Sequence, residues 1–214
     1  MNNGKITVLL VDDHEVVRAG YGQVLSGAAD IELIAEAGSG EEGYSAYVTH
    51  QPDVVIMDIS LPGISGIEAI RRITAREDTA RILVFSMHED TVFVDQALQA
   101  GALGYITKRS AADTLVEAVR TVAGGQRYLD AALAQTLAME KTRGRSNTFS
   151  DLSTREFEIF CLLAEGLQTN AIAERLSIAP KTVANYSTQI KYKLGVKTHA
   201  EIAHLAIRHG LIRP

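Results

Sequence analysis

Asp58 ends the run Pro52-Asp-Val-Val-Ile-Met-Asp58, a short β-branched strand that stops on a carboxylate before the turn residues Pro62-Gly63. Three other apolar runs behave alike: Ile6–Val11 ends on Asp12-Asp13, Ile82–Phe85 ends on Ser86, and Gly104–Ile106 leads to Lys108. In a parallel sheet these ends meet at one rim, where open α/β sheets build their sites. Three clustered carboxylates disfavour shared ionisation. A hard divalent cation relieves that repulsion, and Mg²⁺ suits a site with few carboxylates. An Asp carboxylate can attack a phosphoryl group and become an aspartyl phosphate. Lys108 can then neutralise the phosphoryl oxygens as a point charge, and Ser86 can donate a hydrogen bond to them. Taken singly, each residue also has a plainer role. A strand-end Asp caps turns and helices, Asp13 can cap the helix that follows, and Tyr105 can be a half-buried packing residue.

The elements that must position these residues alternate regularly. Strands at Ile6–Val11, Ile31–Ala37, Val54–Met57, Ile82–Phe85 and Gly104–Ile106 are separated by amphipathic stretches near 14–26, 40–50, 65–76, 89–100 and 111–124. Five such units predict a doubly wound parallel sheet. Gly124-Gly125 ends the last helix. Residues 126–148 read as a connection, with a short Ala/Leu-rich helix at Leu129–Met139 and a flexible polar stretch at Glu140–Ser150.

From 149 onward the strand pattern disappears. Ser153-Thr-Arg-Glu156 is a capping box, and the helix behind it ends at Gly166. Thr169 can cap a second helix through Leu176. Pro180 fits the first turn of a third helix, which Gly195 stops, and a fourth spans about 199–209. A short helix–turn–helix between Thr169 and Leu194 is what a major-groove reader needs. Its second helix buries Val183, Ile190, Leu194 and part of Tyr186. The other face shows Lys181, Thr182, Asn185, Thr188, Gln189 and Lys191, residue types that bind phosphates and read base edges. The same pattern also fits an ordinary polar face of a four-helix bundle.

Composition bounds these readings. Residues 1–125 carry 9 Lys and Arg against 18 Asp and Glu, which excludes that half as a nucleic-acid binder; residues 147–214 carry 8 against 6. The single cysteine, Cys161, excludes an internal disulfide and suits a reducing cytoplasm. The apolar run after the N-terminus is too short for a signal peptide or a membrane span, so no membrane partner is expected.

Residues 4 to about 125 resemble the receiver domain of bacterial two-component response regulators. The residues that carry the likeness are Asp12-Asp13, Asp58, Pro62-Gly63, Ser86, Tyr105 and Lys108, in the family's order and spacing. The resemblance implies a five-stranded, flavodoxin-like α/β domain with Asp58 as phosphoacceptor. Mg²⁺ would be held by Asp13, Asp58 and the Ser60 backbone carbonyl, with Asp12 beside them. Ser86 and Lys108 would bind the phosphoryl group, and Tyr105 would be the rotamer switch. Met87 departs from the small residue frequent there and can crowd a phosphodonor. Ser60 and His88 occupy variable positions whose side chains reach toward an attacking water.

Leu152-Ser-Thr-Arg-Glu156, Ala171–Leu176, Lys181-Thr-Val183 and Lys193-Leu-Gly-Val196 resemble the LuxR-type helix–turn–helix. A receiver joined to that all-α, four-helix module is the NarL/FixJ arrangement, and Pro180–Val183, Tyr186 and His204–Gly210 are most similar to its GacA/UvrY type. Ala179, Ala184 and Tyr186 stand where many members carry Ser, Lys and His. The resemblance implies a transcription factor with a receiver at 1–125 and a DNA-binding domain at 149–214. A sensor histidine kinase would phosphorylate it, and it would then dimerise through Ile202, Leu205 and Ala206 and bind double-stranded DNA. It is not expected to be an enzyme beyond slow self-dephosphorylation. Two other readings stay open: a constitutive DNA-binding protein whose receiver serves only dimerisation or sensing, and a phosphohydrolase, against which stands Ser60 where such enzymes place a second carboxylate.

Overall fold

The computed structural model describes residues 4–110, 112–142, 148–149, 151–209 and 211–212. They fall into two compact units, Met1–Thr142 and Arg143–Pro214. The first unit alternates β1 (Ile6–Val11), α1 (Glu15–Ser26), β2 (Ile31–Ala37), α2 (Gly40–His50), β3 (Val54–Met57), α3 (Gly66–Arg76), β4 (Ile82–Ser86), α4 (Thr91–Gln99), β5 (Gly104–Thr107), α5 (Ala112–Ala123), β6 (Tyr128–Leu129) and α6 (Ala131–Thr142).

The strands pair in the order β2-β1-β3-β4-β5-β6, every pair parallel. Parallel pairing needs a helical crossover, so helices cover both faces and the strands read as continuous apolar runs. All of Val54–Met57 and Ile82–Ser86 is buried accordingly. On one face Val8, Leu10, Ile56, Leu83, Phe85 and Ile106 pack with Leu115, Ala118, Val119 and Val122 of α5. Steps of three, one and three residues from Leu115 keep all four on one helical stripe. The register sets Val11 beside Met57, Met57 beside Val84, and Ser86 beside Thr107. Asp12, Asp58, Ser86 and Lys108 therefore leave the sheet at the same rim.

The sheet has six strands rather than the expected five. Gly125 turns the chain after α5 with φ 73°, and the Tyr128 N–H donates to the Leu103 carbonyl at 3.1 Å. A two-residue strand has no readable period. Helix α6 also belongs to the first unit, burying Leu133 and Leu137. The expected boundary at residue 125 therefore falls inside that unit. Most of the flexible stretch expected at Glu140–Ser150 lies outside the described residues.

The second unit holds α7 (Thr154–Ala164), α8 (Thr169–Arg175), α9 (Pro180–Leu194) and α10 (His199–Arg208). Its core joins Phe157, Ile159 and Phe160 to Ile172, Val183, Ile190, Ile202 and Ala206. Phe149, ahead of the first helix, completes an aromatic cluster with ring centroids 5.3 Å from Phe157 and 5.0 Å from Phe160. Gln168, not Thr169, is the N-cap of α8, and it makes no side-chain cap bond. Helix α9 starts on Pro180 behind an uncapped Ala179 and ends at Gly195 with φ 67°.

The capping box forms as expected: Ser153 Oγ accepts from the Glu156 N–H at 3.3 Å, and Glu156 Oε2 accepts from the Ser153 N–H at 2.7 Å. The same carboxylate takes the Lys193 ammonium at 2.6 Å, tying the start of α7 to the end of α9. Burial alone would raise its pKa. Lys193 and the Ser153 hydrogen bonds outweigh burial and hold the carboxyl below the usual range. A depressed folded pKa gives stability that is present above the unfolded value, near 4.3, and is lost as pH falls through the folded value. We expect Glu156→Gln to cost about 1–2 kcal/mol at neutral pH. The loss should fade below pH ~4. Calorimetric melts of both proteins across that range check it, and a deficit that persists unchanged into acid would contradict it.

Candidate functional site

Asp58 follows β3 and is 4% exposed. Its Oδ1 accepts from the Ile59 N–H at 2.7 Å, and its Oδ2 takes the Lys108 ammonium at 2.6 Å. The same ammonium pairs with Asp12 Oδ2. Asp13 turns outward and meets His14 Nδ1 at 2.8 Å. One ligand atom each from Asp12, Asp13, His14 and Asp58 lies within 4.8 Å of the others. His14 was not among the expected residues, although it directly follows the Asp pair. It also holds the N-cap of α1 that Asp13 could have taken, without a side-chain cap bond.

Ser86 and Tyr105 are completely buried next to this group. The Lys108 N–H donates to the Ser86 carbonyl at 2.8 Å, which clamps the ends of β4 and β5. The Tyr21 hydroxyl donates to the Lys108 carbonyl at 3.1 Å. The Tyr105 hydroxyl donates to the His88 carbonyl at 2.8 Å. Burial pushes that phenol far above its ordinary pKa, so Tyr105 acts only as a neutral hydrogen-bonding group. Ser60 Oγ and His88 Nε2 are 2.8 Å apart, and the His88 ring packs on Phe93 at 4.1 Å. These two variable positions are thus one bonded pair. Met87 is 63% exposed beside them.

In the second unit, Val183 and Ile190 of α9 are buried, while Lys181, Asn185, Thr188 and Gln189 are exposed and Thr182 and Lys191 partly so. One face packs and the other is open, as the spacing predicts. Leu194 and Tyr186 are only half-buried. The expected dimer stripe on α10 is corrected. Ile202 and Ala206 are fully buried within their own unit, where α10 packs on α7, and only Leu205 is partly accessible.

Residues 8–120 match the family model described as the response regulator receiver domain, and residues 150–206 match that of bacterial regulatory proteins of the luxR family. The chain belongs to the LuxR-type response regulators. It is 44% identical over 209 residues to the transcriptional activator protein ExaE of Pseudomonas putida, covering 96% of this chain and 98% of that relative. It is 40% identical over 211 residues to response regulator UvrY of Escherichia coli K12, covering 96% and 95%. The crystal structure of a LuxR-family response regulator from Aurantimonas sp. SI85-9A1 superposes with a TM-score of 0.63 at 40% identity, covering 64% of this chain and 99% of that one. No helix among the described residues is long and apolar enough to cross a membrane.

In this response regulator the rim site balances charge tightly. Burial pushes the Asp58 carboxyl above its ordinary pKa, and the Lys108 ammonium only partly counters it. Burial works against the Lys108 ammonium, but the Asp58 and Asp12 carboxylates outweigh it and raise its pKa. Lys108 is therefore a fixed cation at neutral pH. The donors around it are mostly carboxylate oxygens, so the cluster can hold a hard divalent metal. A buried carboxylate, a fixed ammonium and a buried hydroxyl thus meet at one rim. The protein is a two-component response regulator with a LuxR-type DNA-binding domain that regulates transcription.

Proposed function

We propose that Asp58 accepts a phosphoryl group from a sensor histidine kinase and that this controls dimerisation and DNA binding. The observation that carries the proposal is the buried Asp58 carboxylate facing Lys108, with Asp12 and Asp13 within reach. Asp12, Asp13, Asp58 and the Ser60 backbone carbonyl would hold Mg²⁺, which when bound would neutralise the oxygens of the incoming phosphoryl group. Lys108 and Ser86 bind those oxygens as well. Ser86 moves toward them and disturbs the Tyr105–His88 bond just ahead of α4. The surface of α4, β5 and α5 then changes, a local charge event biasing a two-state element.

Helix α9 enters the DNA major groove with Lys181, Thr182, Asn185, Thr188, Gln189 and Lys191, and the dimer reads two half-sites. The reaction takes place in the cytoplasm, where the kinase delivers its phosphoryl group. The test is phosphate-affinity gel mobility of the full chain with a small phosphodonor and Mg²⁺, with sedimentation on the same samples. Wild type should shift only when both donor and Mg²⁺ are present, and should dimerise. Asp58→Asn should do neither. An unshifted wild type under every donor would reject phosphoryl control and leave the receiver a passive module.

A further inference from the structure

Tyr192 is 88% exposed, the most exposed large hydrophobic side chain among the described residues. It lies on α9 after Lys181, Asn185 and Thr188, at successive steps of four, three and four residues. At 3.6 residues per turn those four side chains form one row, and all four are exposed. Helix α9 carries three lysines and no acidic residue, so its open face complements an anion. The row spans eleven residues, about 16 Å at 1.5 Å per residue. The major groove is about 12 Å wide. A row that begins with Lys181 on a phosphate and passes Asn185 over the base edges therefore outruns the groove, which would bring its last member to the sugar-phosphate wall. Beside Tyr192 a recess of about 510 Å³ is lined by Glu156, Thr188, Gln189 and Lys193. Lys193 is held by Glu156, so at this end of the helix Tyr192 is the protruding group.

We infer that Tyr192 is a DNA-backbone contact that sets how α9 sits in the groove. Its ring packs on deoxyribose, and its hydroxyl donates to a phosphate oxygen. Contacts of this type position a protein without reading sequence. The inference rests on the proposed DNA face of α9 and extends it by a residue of uncharged chemistry.

The test uses the full chain with a small phosphodonor and Mg²⁺. The probes are duplexes that wild type retains from a randomised pool and one scrambled duplex, titrated over a salt series. Tyr192→Ala should weaken both duplex types about tenfold. Its salt slope should stay that of wild type, because a neutral residue releases no counterion. Tyr192→Phe should lose part of that affinity, through the hydroxyl alone. Lys181→Ala should instead lower the slope by about one. Unchanged affinity for Tyr192→Ala while Lys181→Ala weakens binding would overturn the inference and leave the DNA face standing. A loss confined to the selected duplexes, or one explained by lost dimerisation in sedimentation, would overturn it too. If Lys181→Ala and Tyr192→Ala both bind as wild type does, or if wild type retains no duplex, the DNA face itself falls.

Discussion

Lys108→Ala is expected to destabilise the receiver by about 3–5 kcal/mol in magnesium-free buffer at neutral pH, the usual cost of removing one partner from a buried ion pair. The Lys108 side chain is 6% exposed, and those of Asp58 and Asp12 are 5% and 1%. Water cannot take over the role of the ammonium at such depth. Two carboxylates would then face each other across the rim with no cation between them, and one of them must take a proton to stay buried. The pH dependence follows from Asp58, whose folded pKa is already raised by burial. A raised carboxyl means the folded state binds more protons than the unfolded one. Stability then falls as pH rises, from the unfolded value of about 3.9 upward. Lys108 limits that fall in wild type, so the deficit of the variant should shrink as pH is lowered from neutral toward ~4.

Mg²⁺ supplies a second check on the same variant. A dication held by Asp12, Asp13 and Asp58 restores the missing positive charge, and binding to the folded state alone stabilises by mass action. Added Mg²⁺ should therefore recover more stability in Lys108→Ala than in wild type. Phosphoryl transfer should not recover with it, because the point charge on the phosphoryl oxygens is still gone. Calorimetry with and without Mg²⁺, run beside the phosphate-affinity gel, separates the two effects. A Lys108→Ala protein as stable as wild type without Mg²⁺ would mean that the ion pair contributes nothing to the fold.

The strand ends were legible because burial on both faces forces continuous apolar runs, and the first polar residue after each run marks the rim. Ile6–Val11 and Val54–Met57 coincide with β1 and β3, and Ile31–Ala37 coincides with the edge strand β2, although exposed Glu32 and Glu36 interrupt its apolar run. The family's residues meet at that rim, since Asp58 reaches both Lys108, fifty positions away, and the neighbourhood of Asp12. What escaped the sequence is whatever depends on a partner rather than a period. Among the described side chains of α6, Leu133 and Leu137 are the buried ones, too little pattern to separate a docked helix from a connection. The α10 stripe revealed a buried face but not its partner. Ile202 and Ala206 face their own core and not a second copy. The Ser60–His88 bond joins residues 28 positions apart, and no local spacing encodes it.

Gly66 is a case where propensity and packing give opposite signs. It is the first residue of α3, and it is not among the glycines with positive φ. Torsion angles therefore admit alanine, and helix propensity alone would favour Gly66→Ala by up to about 1 kcal/mol. A Cβ there would stand 1.8 Å from the Asp58 carbonyl oxygen and 2.8 Å from its carbonyl carbon. Neither side can give easily. The Asp58 N–H is held by the Val11 carbonyl at 2.9 Å, and the Gly66 N–H donates to the Ile59 carbonyl at 2.9 Å. Relief requires moving α3 or the Asp58–Ile59 backbone, and overpacking of this kind costs about 1–3 kcal/mol or more. We expect the upper end, with the Tm of the receiver falling by about 10 °C. The displaced residue is Asp58 itself, so Mg²⁺ binding and phosphoryl acceptance should fall with the Tm, although no site side chain has changed. A Gly66→Ala protein with an unchanged or higher Tm and a normal donor-dependent gel shift would show that this loop yields where the contacts say it cannot.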